Sequence, residues 1–227
     1  MSKDLLNSGL DRDMKNQEYK KYVFAYLDVL GFENIVKNKA NLTRLISLLE
    51  SFHESESTEK KGFSKTESGF KVLLIPNIMC FSDNIIVSIQ ADQLLDANDY
   101  LLSDVEKYDI LLHSVSTMVM KMCILSLEEG MALRGAIGYG DIFIDYSKSI
   151  IFGPGLIESI RDEQKKAKYP RVIISESLLD ILNKSENHKK CNNFPSPIIY
   201  DSADKIYHID YLKMPLVNFI SKGCTMK

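Results

Sequence analysis

The sequence predicts an α+β domain with a mainly antiparallel sheet and helices on one face of that sheet. Short runs rich in β-branched and aromatic residues recur along the chain and are typical of strands. Longer segments between them place apolar residues at helical spacing. The segments follow one another as β-α-β-β-α-β-β-α-β, and strands that are adjacent in this order favour antiparallel pairing.

The length and composition are those of a globular protein. The chain has 227 residues, of which 45% are apolar and 26% are charged. A chain of this length buries roughly three-quarters of its unfolded surface on folding, so it needs neither disulfides nor a structural metal. We expect a polar N-terminal arm over residues 1–20, a main domain over 21–183, and a C-terminal extension over 184–227 that packs on the domain.

The first predicted elements are a strand and a helix. From Lys21 the sequence Tyr-Val-Phe-Ala-Tyr-Leu-Asp predicts a buried strand. The segment Glu33–Phe52 has apolar residues at helical spacing and predicts a helix. Residues 53–68 are polar throughout and predict an exposed loop.

Two strand-like runs, Phe70–Ile75 and Asn84–Ile89, predict a hairpin around Pro76 and the Phe81-Ser82-Asp83 turn. Residues 92–129 are predicted to be mostly helical because a broad apolar stripe runs along them. The methionines in that stripe are interpreted as core residues, since Met commonly fills gaps in apolar interiors.

Glycine and proline positions delimit the remaining elements. Gly153-Pro154-Gly155 interrupts the chain and begins a helix that runs to about Lys168, where Pro170 ends it. The other predicted elements are strands at Met131–Phe143, Ser149–Phe152, Val172–Ile174 and Ile206–Tyr211, and a short helix at Ser177–Leu182.

The composition argues against several classes of protein. The formal net charge of −3 provides no basic footprint for nucleic acid. The first 20 residues lack the apolar segment of a signal peptide, and no run of 18 apolar residues occurs. We therefore expect a cytoplasmic protein that binds neither nucleic acid nor membrane. No CxxC spacing occurs among the cysteines, so neither a zinc site nor a disulfide framework is expected; they are Cys80, Cys123, Cys191 and Cys224.

Asp28 is the first candidate site residue. It ends an apolar strand, where burial of a carboxylate is costly unless a partner compensates its charge. Gly31 then turns the chain into a helix, and the first amides of a helix favour phosphate oxygens. A carboxylate beside such amides can hold Mg²⁺ or Mn²⁺ on a triphosphate. The alternative is that Asp28 caps the helix.

Asp83 is the second candidate. It lies at the tip of an apolar hairpin, where Asp is also a common turn former. If its strand neighbours that of Asp28, the two carboxylates emerge near one edge and repel each other unless cations lie between them. Such a pair is typical of two-metal phosphoryl chemistry.

Two arginines near glycines complete the candidates. Arg161 lies two turns into the helix that Gly153 opens, and its guanidinium can stabilise charge on a transferring phosphoryl group. A surface ion pair is the alternative for this residue. Arg134, in the sequence Leu-Arg-Gly-Ala-Ile-Gly-Tyr-Gly, is interpreted as structural or only loosely phosphate-facing.

These segments, taken together over about residues 21–175, resemble the ferredoxin-like class III nucleotidyl cyclase domain. That family has Asp-x-x-Gly-Phe at a strand end, as in Asp28-Val-Leu-Gly-Phe, and a second metal-binding Asp at a hairpin, as in Phe-Ser-Asp83. Its Arg-x-Gly-x-x-x-Gly strand is approximated by residues 134–140. Its helix has Gly and Arg eight residues apart, which is the spacing of Gly153 and Arg161.

The resemblance implies roles for these residues. Asp28 and Asp83 would bind two divalent cations, Mn²⁺ or Mg²⁺, with the Val29 carbonyl as a further ligand, and Arg161 would stabilise the transition state. Sites of this family combine two subunits, so a head-to-tail homodimer is implied, in which Arg161 of one chain meets both aspartates of the other. The amides that would hold the triphosphate are those of Val29, Leu30, Gly31 and Phe32.

Three positions around the expected ribose and base differ from the adenylate cyclases of the family. Ile157 stands where the family has an Asn that positions the ribose. Met79 and Ile150 stand where the adenylate cyclases have the Lys and Asp that select adenine. Because polar contacts of this kind carry most of the discrimination between substrates, ATP is not expected to be the substrate.

The amino-acid sequences of three segments are similar to those of the bacterial pyrimidine cyclases of Pycsar antiphage systems. The three segments are Leu-Asp-Val-Leu-Gly-Phe, Phe-Ser-Asp-Asn-Ile and Gly-Pro-Gly-Leu-Ile-Glu. That similarity implies a uridylate cyclase that makes cyclic UMP for a separate effector protein. A cytidylate cyclase that makes cyclic CMP is the near alternative. A catalytically silent, cyclase-like nucleotide sensor is a further alternative, which the loss of the Asn at Ile157 favours. The sequence lacks the Gly-Gly-Asp/Glu-Glu-Phe signature, which argues against a diguanylate-type enzyme.

Overall fold

The structure is a computed structural model that describes residues 18–58, 62–66, 69–73, 76–92, 104–183 and 198–212. Most of the predicted N-terminal arm, residues 1–17, lies outside the described residues. So do residues 184–197 and 213–227 of the predicted C-terminal extension. The predicted domain boundaries therefore stay predictions.

Strands and helices alternate along the described chain largely as the sequence predicts. Their bounds are β1 (Lys20–Val29), α1 (Phe32–Lys37), α2 (Lys39–Thr58), β2 (Gly62–Thr66), β3 (Gly69–Leu73), β4 (Asn77–Phe81), β5 (Asn84–Gln90), α3 (Asp104–Glu128), β6 (Leu133–Asp145), β7 (Ile150–Phe152), α4 (Pro154–Lys166), β8 (Val172–Ile174), α5 (Glu176–Asn183), β9 (Ile198–Asp201) and β10 (Ile206–Ile209).

The main sheet has the strand order β4-β5-β1-β6-β8-β10-β9. Its neighbouring strands pair antiparallel except β6 and β8, which are parallel. β7 pairs with the far end of β6, and β2 pairs with β3 in a separate hairpin. The predicted α+β class with a mainly antiparallel sheet is confirmed.

The prediction that Phe70–Ile75 forms a hairpin with Asn84–Ile89 is wrong. β5 pairs with β4 instead, and the two-residue turn Ser82-Asp83 joins them. Ser82 has φ 55, a left-handed conformation of the kind that tight hairpin turns require. The earlier run pairs with β2, because Pro76 interrupts the chain before β4. α2 and β2 also occupy much of the segment predicted as a loop over 53–68.

The first face of the sheet carries the main core. Strand side chains alternate between faces, so Val23, Ala25 and Leu27 of β1 point to this face, where α1, α2, α3 and α5 cover them. The methionines of α3 lie in this core, which confirms their interpretation. Buried residues that the helices contribute include Ile35, Leu48, Phe52, Leu111, Val115, Val119, Met122 and Leu178.

The second face has a smaller core, so the prediction that helices cover only one face is wrong. Phe24 of β1 points to this face and packs with Ile86 and Leu156. α4 lies across β6 here, because glycines in β6 allow a close approach: a Cβ added at Gly140 would be 2.8 Å from the Cα of Gly155. The turn after β6 reaches the same face, where the hydroxyl of Tyr146 lies 2.8 Å from Oγ of Ser88. The α4 residues buried against the sheet are Gly155, Leu156, Ser159 and Glu163.

One helix among the described residues is long and apolar enough to cross a membrane by length and composition alone. It is the Lys107–Glu128 part of α3, and 56% of its most apolar window is buried inside the protein. The helix contacts β1, β5, β6 and α5, and a core helix meets the same criteria. The expected absence of membrane contact stays a prediction.

The contact between α4 and β6 predicts a cost for any side chain at Gly140. We expect Gly140→Ala to lower the free energy of unfolding by about 1–3 kcal/mol, because the new methyl group meets backbone rather than a flexible side chain. Urea unfolding followed by circular dichroism measures the change. The control is Gly130→Asn: Gly130 has φ 74 with no atom within 4 Å of an added Cβ, and Asn tolerates that conformation. Equal stability of Gly140→Ala and the parent protein would contradict the close packing.

Candidate active site

Asp28 lies near the C-terminal end of the central strand β1, and its side chain is on the second face of the sheet. Its cross-strand neighbours are Asn84 on β5 and Arg134 on β6. Two residues further, Gly31 adopts φ 73 and turns the chain into α1. Gly31 is the N-cap residue of α1, and no side-chain hydrogen bond caps this helix. The structure therefore removes helix capping as the reason for an aspartate at position 28.

Asp83 is held beside Asp28 by the β4–β5 turn. The Asp83 carbonyl accepts a hydrogen bond from the amide of Val29 at 2.9 Å. Its carboxylate accepts a hydrogen bond from Nδ2 of Asn84 at 2.9 Å, and Oδ1 of Asn84 accepts one from the hydroxyl of Tyr26. The aspartate is thus both part of a turn and oriented by a side-chain chain of hydrogen bonds. The predicted proximity of the two aspartates agrees with this geometry.

Arg134 connects the end of β1 to α4 through two ion pairs. Its Nη2 lies 3.4 Å from Oδ2 of Asp28, and its Nε pairs with Oε1 of Glu163. The Glu163 side chain is only 4% exposed, whereas that of Asp28 is 21% exposed. Two carboxylates on different elements therefore share one guanidinium group.

Burial and like charges raise the pKa of both carboxyl groups that contact Arg134. The pKa of Asp28 is raised first by burial and then by the nearby Asp83, against the lowering effect of Arg134. The pKa of Glu163 is raised by burial and by Asp28, again against Arg134. Three carboxyl groups, those of Asp28, Asp83 and Glu163, therefore lie around one arginine. A divalent cation would supply the missing positive charge.

Tyr26 closes the site on the side of Asn84. Burial, followed by the charges of Asp28, Glu163 and Asp83, raises the pKa of Tyr26 to about 12. The phenol therefore stays protonated near neutral pH, donates its hydrogen bond to Asn84, and does not act as a base.

The backbone after Asp28 provides fewer candidate amides for phosphate than the resemblance implies. The amide of Val29 donates to Asp83, and the amide of Leu30 donates to the carbonyl of Ala132 at 3.0 Å. These two amides are therefore engaged in joining β1 to its neighbours. Gly31 and Phe32 remain from the predicted set.

The other predicted site residues lie on β4, β7 and α4. Met79 is 5% exposed and packs in the second-face core. Ile150 begins β7, opposite Asp145 at the far end of β6. Ile157 and Arg161 lie one turn apart on the exposed side of α4, and Ile157 is 51% exposed.

The donor set at Asp28 and Asp83 fits a cation bound together with a phosphate ligand. Among the described residues, no group of three or more His, Cys, Asp or Glu side chains is arranged to hold a metal by itself. Mg²⁺ is typically held by one or two carboxylates plus substrate phosphates, and keeps several water ligands. Two adjacent carboxylates with excess negative charge match that mode of binding.

Sequence reasoning did not assign three residues of this cluster, Tyr26, Asn84 and Glu163, and it interprets the fourth, Arg134, as structural or only loosely phosphate-facing. Tyr26 carries no motif, and Asn84 appears only as the neighbour of Asp83 in the segment Phe-Ser-Asp-Asn-Ile. Glu163 had a usable signal, because it occupies a position of the apolar stripe that Leu156, Ile160 and Ala167 form on α4. A carboxylate on the buried face of a helix requires a cationic partner, which here is Arg134.

The raised pKa of Asp28 predicts a stability gain on its neutralisation. The folded state disfavours the ionised carboxylate. The favourable contribution of Asp28 to the free energy of unfolding is therefore complete below the pKa that this carboxyl group has in the unfolded chain, and it is lost as pH rises through the raised pKa of the folded state. In metal-free buffer we expect Asp28→Asn to have a higher thermal midpoint than the parent protein, by a margin that grows from about pH 4 to about pH 8. Glu50→Gln, an exposed change on α2, should show no such trend. A lower midpoint of Asp28→Asn at pH 8 would contradict the expectation.

The comparison with known proteins finds similarity at the level of structure, where 22 chains match. No known family model matches the chain, and no curated protein matches it. Among solved structures, it is similar to the crystal structure of the adenylyl cyclase CyaB from P. aeruginosa, with a TM-score of 0.48 and 14% sequence identity. The matched region covers 85% of this chain and 94% of that chain.

Proposed function

We propose that the protein is a metal-dependent nucleotide cyclase that converts UTP to 3′,5′-cyclic UMP and diphosphate. CTP, with cyclic CMP as the product, is the alternative substrate. The observation that carries the proposal is the placement of Asp28 and Asp83 at one sheet end, with more negative charge than Arg134 compensates. The resemblance of three sequence segments to class III cyclases supports the same activity.

The proposed reaction is an intramolecular phosphoryl transfer. The ribose 3′-oxygen forms a bond to the α-phosphorus, the bond from that phosphorus to the bridging oxygen breaks, and diphosphate leaves. The proton of the 3′-hydroxyl is released to water. Two divalent cations bound by both aspartates and the triphosphate would activate the attacking oxygen and neutralise the leaving group. Asp28 and Asp83 would hold those cations, and Asn84 and Tyr26 hold the carboxylate of Asp83 in place.

The position of Arg161 supports a site shared between two chains. Arg161 and Glu163 are two residues apart, about 200° around the helix, so they point to opposite sides of α4. Glu163 is turned inward to Arg134, and Arg161 is exposed. Arg161 therefore points away from the aspartates of its own chain. In a head-to-tail homodimer, Arg161 would lie beside the substrate bound at the aspartates of the other chain and would stabilise the transition state there.

The choice of a pyrimidine base rests on what Met79 and Ile150 lack. Neither side chain can form the polar contacts with adenine that the adenylate cyclases of the resembled family use. Met79 is also buried. The proposed role in antiphage defence, through a cyclic nucleotide that acts on a separate effector, rests only on the sequence similarity of three segments to the Pycsar cyclases.

A catalytically silent nucleotide sensor is the second candidate function. Two observations favour it: Ile157 replaces the Asn that positions the ribose, and Arg134 already contacts Asp28. A sensor would bind a triphosphate and a cation without turnover.

The first test of the cyclase proposal is product formation. We expect incubation with each of ATP, GTP, UTP and CTP in Mn²⁺ to yield a cyclic product from UTP, identified by mass spectrometry. Asp28→Asn and Asp83→Asn should each lower the rate by about 100-fold or more, because a site built to stabilise developing charge loses a ligand. Glu50→Gln is the control for a lost surface carboxylate. Tight triphosphate binding without any cyclic product would favour the sensor instead.

The second test addresses the shared site by mixing inactive variants. Arg161→Ala and Asp28→Asn should each be inactive alone, and an equal mixture should recover about one quarter of the parent activity, because half the dimers are mixed and each has one intact site. A mixture of Asp28→Asn with Asp83→Asn is the matched control and should stay inactive, since both changes affect the same half-site. Recovery in the control, or none in the first mixture, would contradict the head-to-tail arrangement.

A further inference from the structure

Arg134 is held unequally by its two carboxylate partners. The 3.4 Å contact between its Nη2 and Asp28 is longer than the 2.7–2.9 Å typical of charge-assisted hydrogen bonds. Its Nε forms an ion pair with Oε1 of Glu163 without hydrogen-bond geometry. The two partners differ in burial, since the Glu163 side chain is 4% exposed and that of Asp28 is 21% exposed.

The burial of Glu163 explains this inequality. Glu163 sits on the inner side of α4, where the contact of Gly155 with Gly140 holds the helix against β6. A carboxylate in such a position is strongly destabilising when its cation is removed. Asp28 lies nearer to solvent and tolerates the loss of Arg134 better. Of the two carboxylates, Glu163 therefore depends more strongly on its ion pair with Arg134 for charge compensation.

Arg134 is also a potential competitor for the site of the metal. A guanidinium binds a carboxylate best as a bidentate fork that occupies both oxygens. A fork of that kind on Asp28 would occupy one lone pair of each oxygen and would place a fixed positive charge where a divalent cation must approach. The observed single, long contact leaves Asp28 with a counter-ion that a cation can displace.

We propose that Glu163 is a positioning residue that holds Arg134 away from Asp28, so that a divalent cation can displace the arginine from the carboxylate. The inference rests on the proposed function for the identity of Asp28 as a metal ligand. It assigns a role to a residue that touches neither substrate nor metal. The neutral Glu163→Gln would release Arg134 to form the bidentate pair with Asp28.

The test measures Mn²⁺ binding rather than turnover. Mn²⁺ is titrated into the full chain in the presence of α,β-methylene UTP, which is not cleaved at the reacting bond, and free Mn²⁺ is followed by electron paramagnetic resonance. We expect Glu163→Gln to weaken Mn²⁺ binding by about 10–100-fold, the range typical of changes to residues behind a metal ligand. The rate at saturating Mn²⁺ should change far less than the Mn²⁺ requirement. Glu158→Gln, the same substitution on the exposed side of α4, should bind Mn²⁺ like the parent protein.

A double variant separates competition by Arg134 from general damage to the fold. Glu163→Gln with Arg134→Met removes the competing cation together with its anchor, so Mn²⁺ affinity should return to at least the parent value. Replacing both partners of a buried ion pair is often neutral for stability, so this variant is expected to fold even if Glu163→Gln does not. Weaker Mn²⁺ binding by the double variant than by the parent would overturn the inference, as would unchanged binding by Glu163→Gln.

Asp28→Asn distinguishes failure of this inference from failure of the proposed function. If Asp28→Asn loses Mn²⁺ binding and Glu163→Gln does not, only the positioning role of Glu163 is overturned. If Asp28→Asn binds Mn²⁺ as the parent does, Asp28 is not a metal ligand, and the proposed function and the inference both fail.

Discussion

The pairing of β1 on both sides is the constraint on which the core and the candidate site both depend. β1 is hydrogen-bonded to β5 from Tyr22 to Asp28 and to β6 from Lys20 to Val29. Side chains alternate along a strand, so one set faces the main core and the other faces the second face, ending with Asp28. A slip of one residue would place this carboxylate in the core and move Leu27 to the site, which strongly specifies the register.

The second face combines apolar packing with a charged cluster at one end. Phe24 and Ile86 are fully buried, while Asp28, Arg134 and Glu163 lie close by and share their charges. The glycines of β6 make this arrangement possible, because they bring α4 close enough for Glu163 to contact Arg134. The same helix presents Arg161 on its opposite side. α4 thus carries the buried Glu163 on one side and the exposed Arg161 on the other.

Much of the fold could be predicted from sequence because the signals are local. The alternation and β-branched content of β1, the apolar stripe of α3, and the glycine and proline before α4 each reflect the conformation of a few neighbouring residues. The pairing of β5 could not be predicted in the same way. Residues 70–75 and 77–81 are both strand-like, and the choice between them depends on the turn at Ser82 and on which run packs into the sheet.

The candidate site was predictable in part. Asp28 and Asp83 follow from their places after apolar strands, and the structure holds them at the same sheet end. The roles of Asn84, Tyr26 and Glu163 follow from cross-strand and helix-to-strand contacts between residues distant in the chain. No local pattern encodes such contacts, since each depends on the register of two strands or the distance of a helix from a sheet.

The sequence by itself determined the class of the fold, the two aspartates and the exposed turn of helix that carries Arg161. The tertiary structure alone decided which face α4 covers, which amides after Asp28 are already engaged, and which carboxylates share Arg134. The physical reason is that charge compensation depends on distances of a few ångströms between elements far apart in the chain. A sequence specifies which charges exist, and the packing of Gly140 against Gly155 decides which of them meet.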